Sequence, residues 1–154
     1  MRLTTFSDYA LRLLMYAAAA GERLITIEET SQVYKISRGH LMKIANTLTR
    51  AGYLQGVRGR SGGLTLAKKP EDIRLGDVIR ISEADFALVE CFGTGNQCIV
   101  TKRCRLPDVL NEALEAFMKS LDRYTLADLI LQPKDFIAPF PKGGKRGPTM
   151  RGLS

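Results

Sequence analysis

The sequence predicts a mainly α fold with a small β-hairpin wing: a winged helix-turn-helix followed by a long dimerisation helix. Three observations predict it. Apolar residues recur at helical spacing in three successive stretches near the N-terminus. Two short β-type runs then flank a turn rich in glycine and arginine, residues 58–63. Beyond Pro107, residues Leu110, Leu114, Phe117 and Leu121 form one stripe, spaced four, three and four, as in a short coiled-coil seam.

The first helix is placed at residues 5–20, where Phe6, Ala10, Leu13, Leu14 and Ala17 share a face. Thr5 followed by Asp8 resembles a capping-box start, and Gly21 is a stop. The second helix starts at Thr26, which repeats that pattern with Glu29, and Ile27, Thr30, Val33 and Tyr34 follow on one side. A break at Lys35 and Ile36 leads to Ser37, whose hydroxyl suits an N-cap. The third helix covers residues 38–50 with Leu41, Ile44, Ala45 and Leu48 inward, and Gly52 ends it. Residues 53–57 and 64–67 are the hairpin strands, and a fourth helix covers 75–82. Pro107 suits the first turn of a long helix reaching Tyr124, and residues 125–131 continue or restart it. The division is then a DNA-binding head (1–83), a cysteine loop (84–106), a dimerisation region (107–132) and a basic tail (133–154). From Pro139 onward the tail is Pro, Gly, Lys and Arg without apolar pattern, and it is read as disordered.

Composition narrows the function. At 154 residues with 45% apolar content, the chain makes one domain, or one small domain plus an extension. Residues 9–20 look superficially like a signal sequence. Arg12 interrupts that run, Asp8 precedes it, and it falls short of the ~20 residues of a membrane span. A cytoplasmic location is expected, where cysteines stay reduced. The net charge is +7, and its placement matters more than its size. From Lys35 to Lys69 there are eight basic residues and no acid, a surface suited to a polyanion.

Helix, short turn, helix and basic hairpin is the order of a DNA-reading head. A helix fits the major groove, and its N-terminal residues reach base edges. Here those residues are Ser37, Arg38, Gly39, His40 and Lys43, all off the apolar stripe. The wing offers Arg58, Arg60 and Ser61 among glycines, which let the turn approach the backbone or enter the minor groove. No catalytic constellation is present, and the glycine-rich turn lacks the Lys-Ser/Thr ending of a phosphate loop. An enzyme is not expected.

Cys91, Cys98 and Cys104 are the only cysteines and fall within fourteen residues, with six and five residues between them. An odd number cannot all pair within one chain. Gaps of six and five fit structural zinc poorly, since zinc sites show tighter pairs. Iron–sulfur clusters need thiolate ligands, usually four. Lys102, Arg103 and Arg105 surround Cys104, a setting that suits thiolates. Three thiols leave one position for a carboxylate, a histidine, a backbone atom, water or a partner subunit.

Four stretches carry a family resemblance: Met-Arg-Leu-Thr-Thr-Phe-Ser-Asp-Tyr-Ala-Leu-Arg at the start, Ser-Arg-Gly-His-Leu at the third helix, Val-Arg-Gly-Arg-Ser-Gly-Gly-Leu in the wing, and the three cysteines. Over residues 1–132 the chain resembles the Rrf-two family of winged-helix iron–sulfur regulators, and within it the nitric-oxide-sensing repressors. The resemblance implies a homodimer on a pseudo-palindromic double-stranded DNA operator. It implies a two-iron or four-iron cluster ligated by Cys91, Cys98 and Cys104, with Asp8 of the partner subunit completing the shell and Arg12 holding that Asp8. The residues leave another reading of Asp8: capping plus an i,i+4 ion pair with Arg12. A branch of the family places a histidine near the end of the cysteine loop. Here Arg105, Leu106 and Pro107 follow Cys104, which argues against that branch. The alternatives are an iron- or redox-responsive regulator of the same family, a zinc or thiol switch on the same fold, and an iron–sulfur electron carrier or redox enzyme subunit. The last leaves the basic hairpin unexplained.

Overall fold

The computed structural model describes residues 1–136. Five α-helices and one two-stranded antiparallel sheet follow in order: α1 (Thr5–Ala20), α2 (Ile27–Tyr34), α3 (Arg38–Arg50), β1 (Leu54–Val57), β2 (Gly63–Leu66), α4 (Leu75–Ser82) and α5 (Leu106–Leu121). Single 3₁₀ turns lie at Pro70–Asp72, Glu90–Phe92, Leu126–Leu129 and Pro133–Asp135. No helix among the described residues is long and apolar enough to cross a membrane.

The caps explain where the first three helices begin. Thr26 accepts from the Glu29 amide and Ser37 from the His40 amide. For α1 the cap is Thr4, which accepts from the Ser7 amide, not the expected Thr5 with Asp8. Thr5 already lies inside the helix, and Asp8 is engaged elsewhere by Arg12. At the end of α3, Gly52 sits at φ 78°. Its amide donates to the Thr49 carbonyl at 3.0 Å and the Tyr53 amide to Leu48 at 2.9 Å, closing the last turn as glycine permits.

The core is the contact between α1, α3, α4 and the sheet. Leu13, Leu14 and Tyr16 from α1 meet Ile44 and Leu48 from α3, Leu54 from β1, and Ile73 and Val78 around α4, all at most 1% exposed. Emptying one such leucine to alanine costs about 2–5 kcal/mol. The sheet register pairs Leu54 with Leu66 and Val57 with Gly63. Ile25, just before α2, bridges Leu64 through bonds of 2.9 and 2.7 Å and so pins the wing to the helix-turn-helix.

Two long-range ties fix the elements on either side of the cysteine loop. The Ser7 and Ser82 hydroxyls meet at 2.7 Å in a buried contact between α1 and α4. Arg80 on α4 donates twice, at 2.7 Å each, to Asp122 at the end of α5, and this holds the Asp122 carboxyl below the usual carboxylate range. Gly76 lies beneath that pair, where a β-carbon would collide with the Asp122 carboxylate. After α5 the chain returns to α4: the Leu75 amide donates to Tyr124 at 3.0 Å and the Leu126 amide to Ile73 at 2.8 Å.

The first residues of the expected basic tail, 133–136, are structured. The Pro133–Asp135 turn carries a capping box between Gln132 and Asp135. Phe136 then packs edge-on against Tyr16 and Tyr34, with ring centres 5.3 and 6.2 Å away. An aromatic side chain with an apolar landing site ties this segment to α1 and α2. The remainder of the expected tail, 137–154, lies outside the described residues.

Candidate functional site

The helix-turn-helix is held by its turn. Lys35 sits at φ 57°, the one left-handed non-glycine among the described residues. The Ser31 hydroxyl donates to the Ile36 carbonyl at 2.6 Å, and the Ile36 side chain is buried beneath the turn. These contacts fix the turn into α3, which buries its apolar stripe and leaves its polar face outward. Ser37, Arg38, Gly39, His40 and Lys43 are all exposed.

Their individual roles differ. The Ser37 hydroxyl is occupied as the N-cap. The Arg38 guanidinium turns toward α2 and donates to Glu28 at 2.8 Å, an exposed pair of modest strength. The His40 ring turns the other way, toward α1, with its centre 6.4 Å from that of Tyr9. His40 and Lys43 line a cleft of about 100 Å³ with Phe6, Tyr9 and Ile44. Two further exposed residues of α3, Met42 and Asn46, were not singled out by sequence reasoning. Their positions opposite the apolar stripe were the available signal.

The wing is shaped by glycine. Gly59 adopts φ 118°, open to glycine and strained for other residues. A β-carbon on Gly62 would strike the Val57 carbonyl, and one on Gly63 would come within 2.5 Å of the Ile25 carbonyl oxygen. The tight turn leaves Arg58, Arg60 and Ser61 exposed at the tip. Among the described residues, neither wing arginine has an acidic partner.

The cysteine loop follows α4. Cys91 lies in the Glu90–Phe92 turn, half-buried; Cys98 is exposed; Cys104 is half-buried just before α5. All three are free thiols. The Glu90 carboxylate accepts from the Gln97 amide at 2.8 Å, drawing the Cys91 and Cys98 segments toward each other. Asn96 accepts from the Cys98 amide at 2.9 Å, and Thr101 donates to the Cys98 carbonyl at 2.8 Å. The donor chemistry fits an iron–sulfur group: three unpaired soft ligands with no acid between the first and the last. Their placement is open, since no three His, Cys, Asp or Glu side chains among the described residues are grouped to hold a metal ion.

Asp8 stands on α1, apart from any such group, and pairs with Arg12 through contacts of 3.0 and 2.8 Å. That two-point pair is the i,i+4 arrangement which needs no metal. The Arg12 guanidinium also lies 5.7 Å from the Tyr9 ring centre and 6.0 Å from that of Tyr34. Where the loop begins, the Glu83 carboxylate accepts from the Thr4 amide at 2.8 Å and its hydroxyl at 3.1 Å, fixing the start of α1. On α5, Leu110, Leu114, Phe117 and Leu121 are each half-buried within the single chain.

A helix-turn-helix with a glycine-shaped, arginine-tipped hairpin beside it defines a winged-helix regulator. A family model, Rrf2, described as an iron-dependent transcriptional regulator, matches residues 3–132. The chain therefore belongs to the Rrf2 family and is a transcriptional regulator. It is 45% identical over 140 residues to the HTH-type transcriptional regulator NsrR of Bacillus subtilis, covering 89% of this chain and 95% of that one. It is 47% identical over 132 residues to NsrR of Geobacillus kaustophilus, covering 84% and 90%. Among solved structures, CymR, described as the global cysteine regulator of Bacillus subtilis, is similar with a TM-score of 0.66 at 26% identity, covering 84% of this chain and 95% of that one. All three are named as regulators, none as an enzyme.

Proposed function

We propose that the chain is a homodimeric DNA-binding repressor whose hold on its operator is set by an iron–sulfur cluster and released by nitric oxide. Cys91, Cys98 and Cys104 would hold the cluster, with Asp8 of the partner subunit as fourth ligand. One observation carries this reading: three free thiols within fourteen residues, directly between a winged-helix head and α5, in a family described as iron-dependent. When bound, the group supplies iron that nitric oxide attacks.

The chain's own part is mechanical. Asp8 and Arg12 form a pair that ligation would have to open or share. Arg12 contacts Tyr9, and Tyr9 neighbours His40 on α3, so a change at Asp8 reaches the reading helix through packed side chains. Glu83 joins the start of the cysteine loop to the start of α1. A coupling of roughly 1–3 kcal/mol between these states would change affinity about 5–150-fold.

Dimerisation is supported by the surface that the single chain leaves only half-covered. From Glu83 to Phe117 no residue is buried, although the segment includes most of amphipathic α5. A second copy seated on Leu110, Leu114, Phe117 and Leu121 would cover that face. The two-fold would set the α3 pair about 34–36 Å apart, or a multiple, on a pseudo-palindromic site.

Protein prepared without oxygen, with and without Cys98→Ser, tests the reading. The variant is expected to lose iron, sulfide, visible absorbance and operator affinity while keeping its helical circular dichroism. Unchanged absorbance and affinity would refute it, as would iron-free protein that binds the operator as tightly as the loaded form.

A further inference from the structure

We infer that Asn46 and Met42 are specificity-determining residues, reading an A·T base pair from the middle of α3. The inference rests on the proposal above that α3 enters the major groove. At about 100° per residue, the centre of the buried stripe Leu41, Ile44, Ala45 and Leu48 defines the inward direction. Asn46 then lies about 150° round the helix from that centre, and Gly39 about 170°. Arg38 and His40 sit on the two flanks, which is why one reaches Glu28 and the other Tyr9. The most outward row is therefore Gly39, Lys43, Asn46 and, in the last turn, Arg50, with Met42 beside it on the wing side.

The structure gives this row room. Met42 and Asn46 line an open cleft of about 350 Å³ between α3, the start of α2 at Thr26, and Val57 and Gly62 of the wing. Met42 is 56% exposed, unusual for so large an apolar side chain without a neighbour to cover it. Among the described residues the Asn46 amide makes no hydrogen bond, so both its donor and its acceptor are available. Gly39 has no atom within 4 Å of where a β-carbon would stand, and a bare backbone at the helix start permits close approach to the duplex.

The chemistry of these side chains selects the base pair. An amide with one donor and one acceptor matches adenine, which offers N6–H and N7 in the major groove. An apolar side chain beside it matches the thymine methyl group. A glutamine or arginine would reach further; asparagine suits a helix that sits deep, as glycine at position 39 allows. Losing such a bidentate contact changes discrimination at one base pair by about 5–150-fold.

The test is selection from randomised duplexes by oxygen-free, full-length wild type, Asn46→Ala and Met42→Ala. The wild type is expected to select a palindrome with a fixed A·T pair in each half-site. Asn46→Ala is expected to lose preference at that pair alone, keeping the rest of the consensus and its affinity for random DNA. In direct binding to the selected duplex made with thymine or with uracil at that pair, Met42→Ala is expected to weaken the preference for thymine, and an unchanged preference would remove Met42 from the assignment. If Asn46→Ala selects the wild-type consensus, or loses affinity uniformly as a phosphate contact would, the inference is overturned while the major-groove reading stands. If the wild type selects no sequence, the reading of α3 fails and takes this inference with it.

Discussion

Removing both wing arginines, Arg58→Ala with Arg60→Ala, tests whether the wing grips a polyanion. Both side chains are exposed and without an acidic partner among the described residues, so folding has little stake in them. Exposed substitutions of this kind stay within about 0.5 kcal/mol of the parent. If each arginine neutralises one phosphate, a dimer loses four such contacts. The slope of log affinity against log salt then becomes shallower by about 3.6. Between 50 and 200 mM salt the wild type would lose about 150-fold more affinity than the variant. Fluorescence anisotropy on a duplex carrying the selected site, over a salt series, reads the slope, and a thermal melt of the free protein controls for folding. An unchanged slope, or a change seen only with a lowered melting temperature, would refute the assignment.

Gly63→Ala places a methyl group against the Ile25 carbonyl and must break the Ile25–Leu64 bridge that pins the wing. A loss of about 1–3 kcal/mol is expected in urea unfolding, and a neutral result would mean the wing is not held this way. Lys35→Gly removes a left-handed lysine worth about 1–2 kcal/mol of strain, partly offset by glycine's flexibility. The unfolding midpoint should rise, and a fall would show that the lysine side chain matters more than its backbone. The Tyr16 hydroxyl is pushed up to about 12 by burial and then by the neighbouring Glu29 charge, above its ordinary 10.0. Because the folded state keeps this proton longer, stability is flat with respect to it below pH 10 and falls between pH 10 and 12. The fall is about 2–3 kcal/mol. Tyr16→Phe should flatten that part of a pH–stability curve, and an unchanged curve would place the titration elsewhere.

Much of the head was legible because its signals are local. Thr26 and Ser37 accept from amides, and Gly52 donates to a carbonyl, all within a few residues, and the apolar stripe of α3 needs only its own periodicity. The glycines of the wing announced a turn that other residues cannot make. The bounds of α1 were legible, but its capping residue was missed by one because two threonines compete, and the contact that favours Thr4 comes from Glu83, far along the chain. The candidate site was legible as composition, three thiols and a basic stretch, and less so as geometry. No local rule says that Arg38 turns to Glu28, that His40 turns to Tyr9, or that Met42 and Asn46 are left facing the wing. Phe136 was assigned to the tail because a single aromatic carries no period, and its landing site on Tyr16 and Tyr34 exists only once α1 and α2 have packed.

The sequence by itself determined the helices, the turn, the hairpin and the donor chemistry of the cysteine loop. Each follows from backbone preference, capping or side-chain type within a short window. Only the tertiary structure decided which polar side chains are engaged and which are left outward, how α1 is tied to the loop through Glu83, and that residues 83–117 are at most half-buried among the described residues. Those outcomes depend on contacts between residues distant in sequence, whose energies come from burial and pairing that no local pattern encodes.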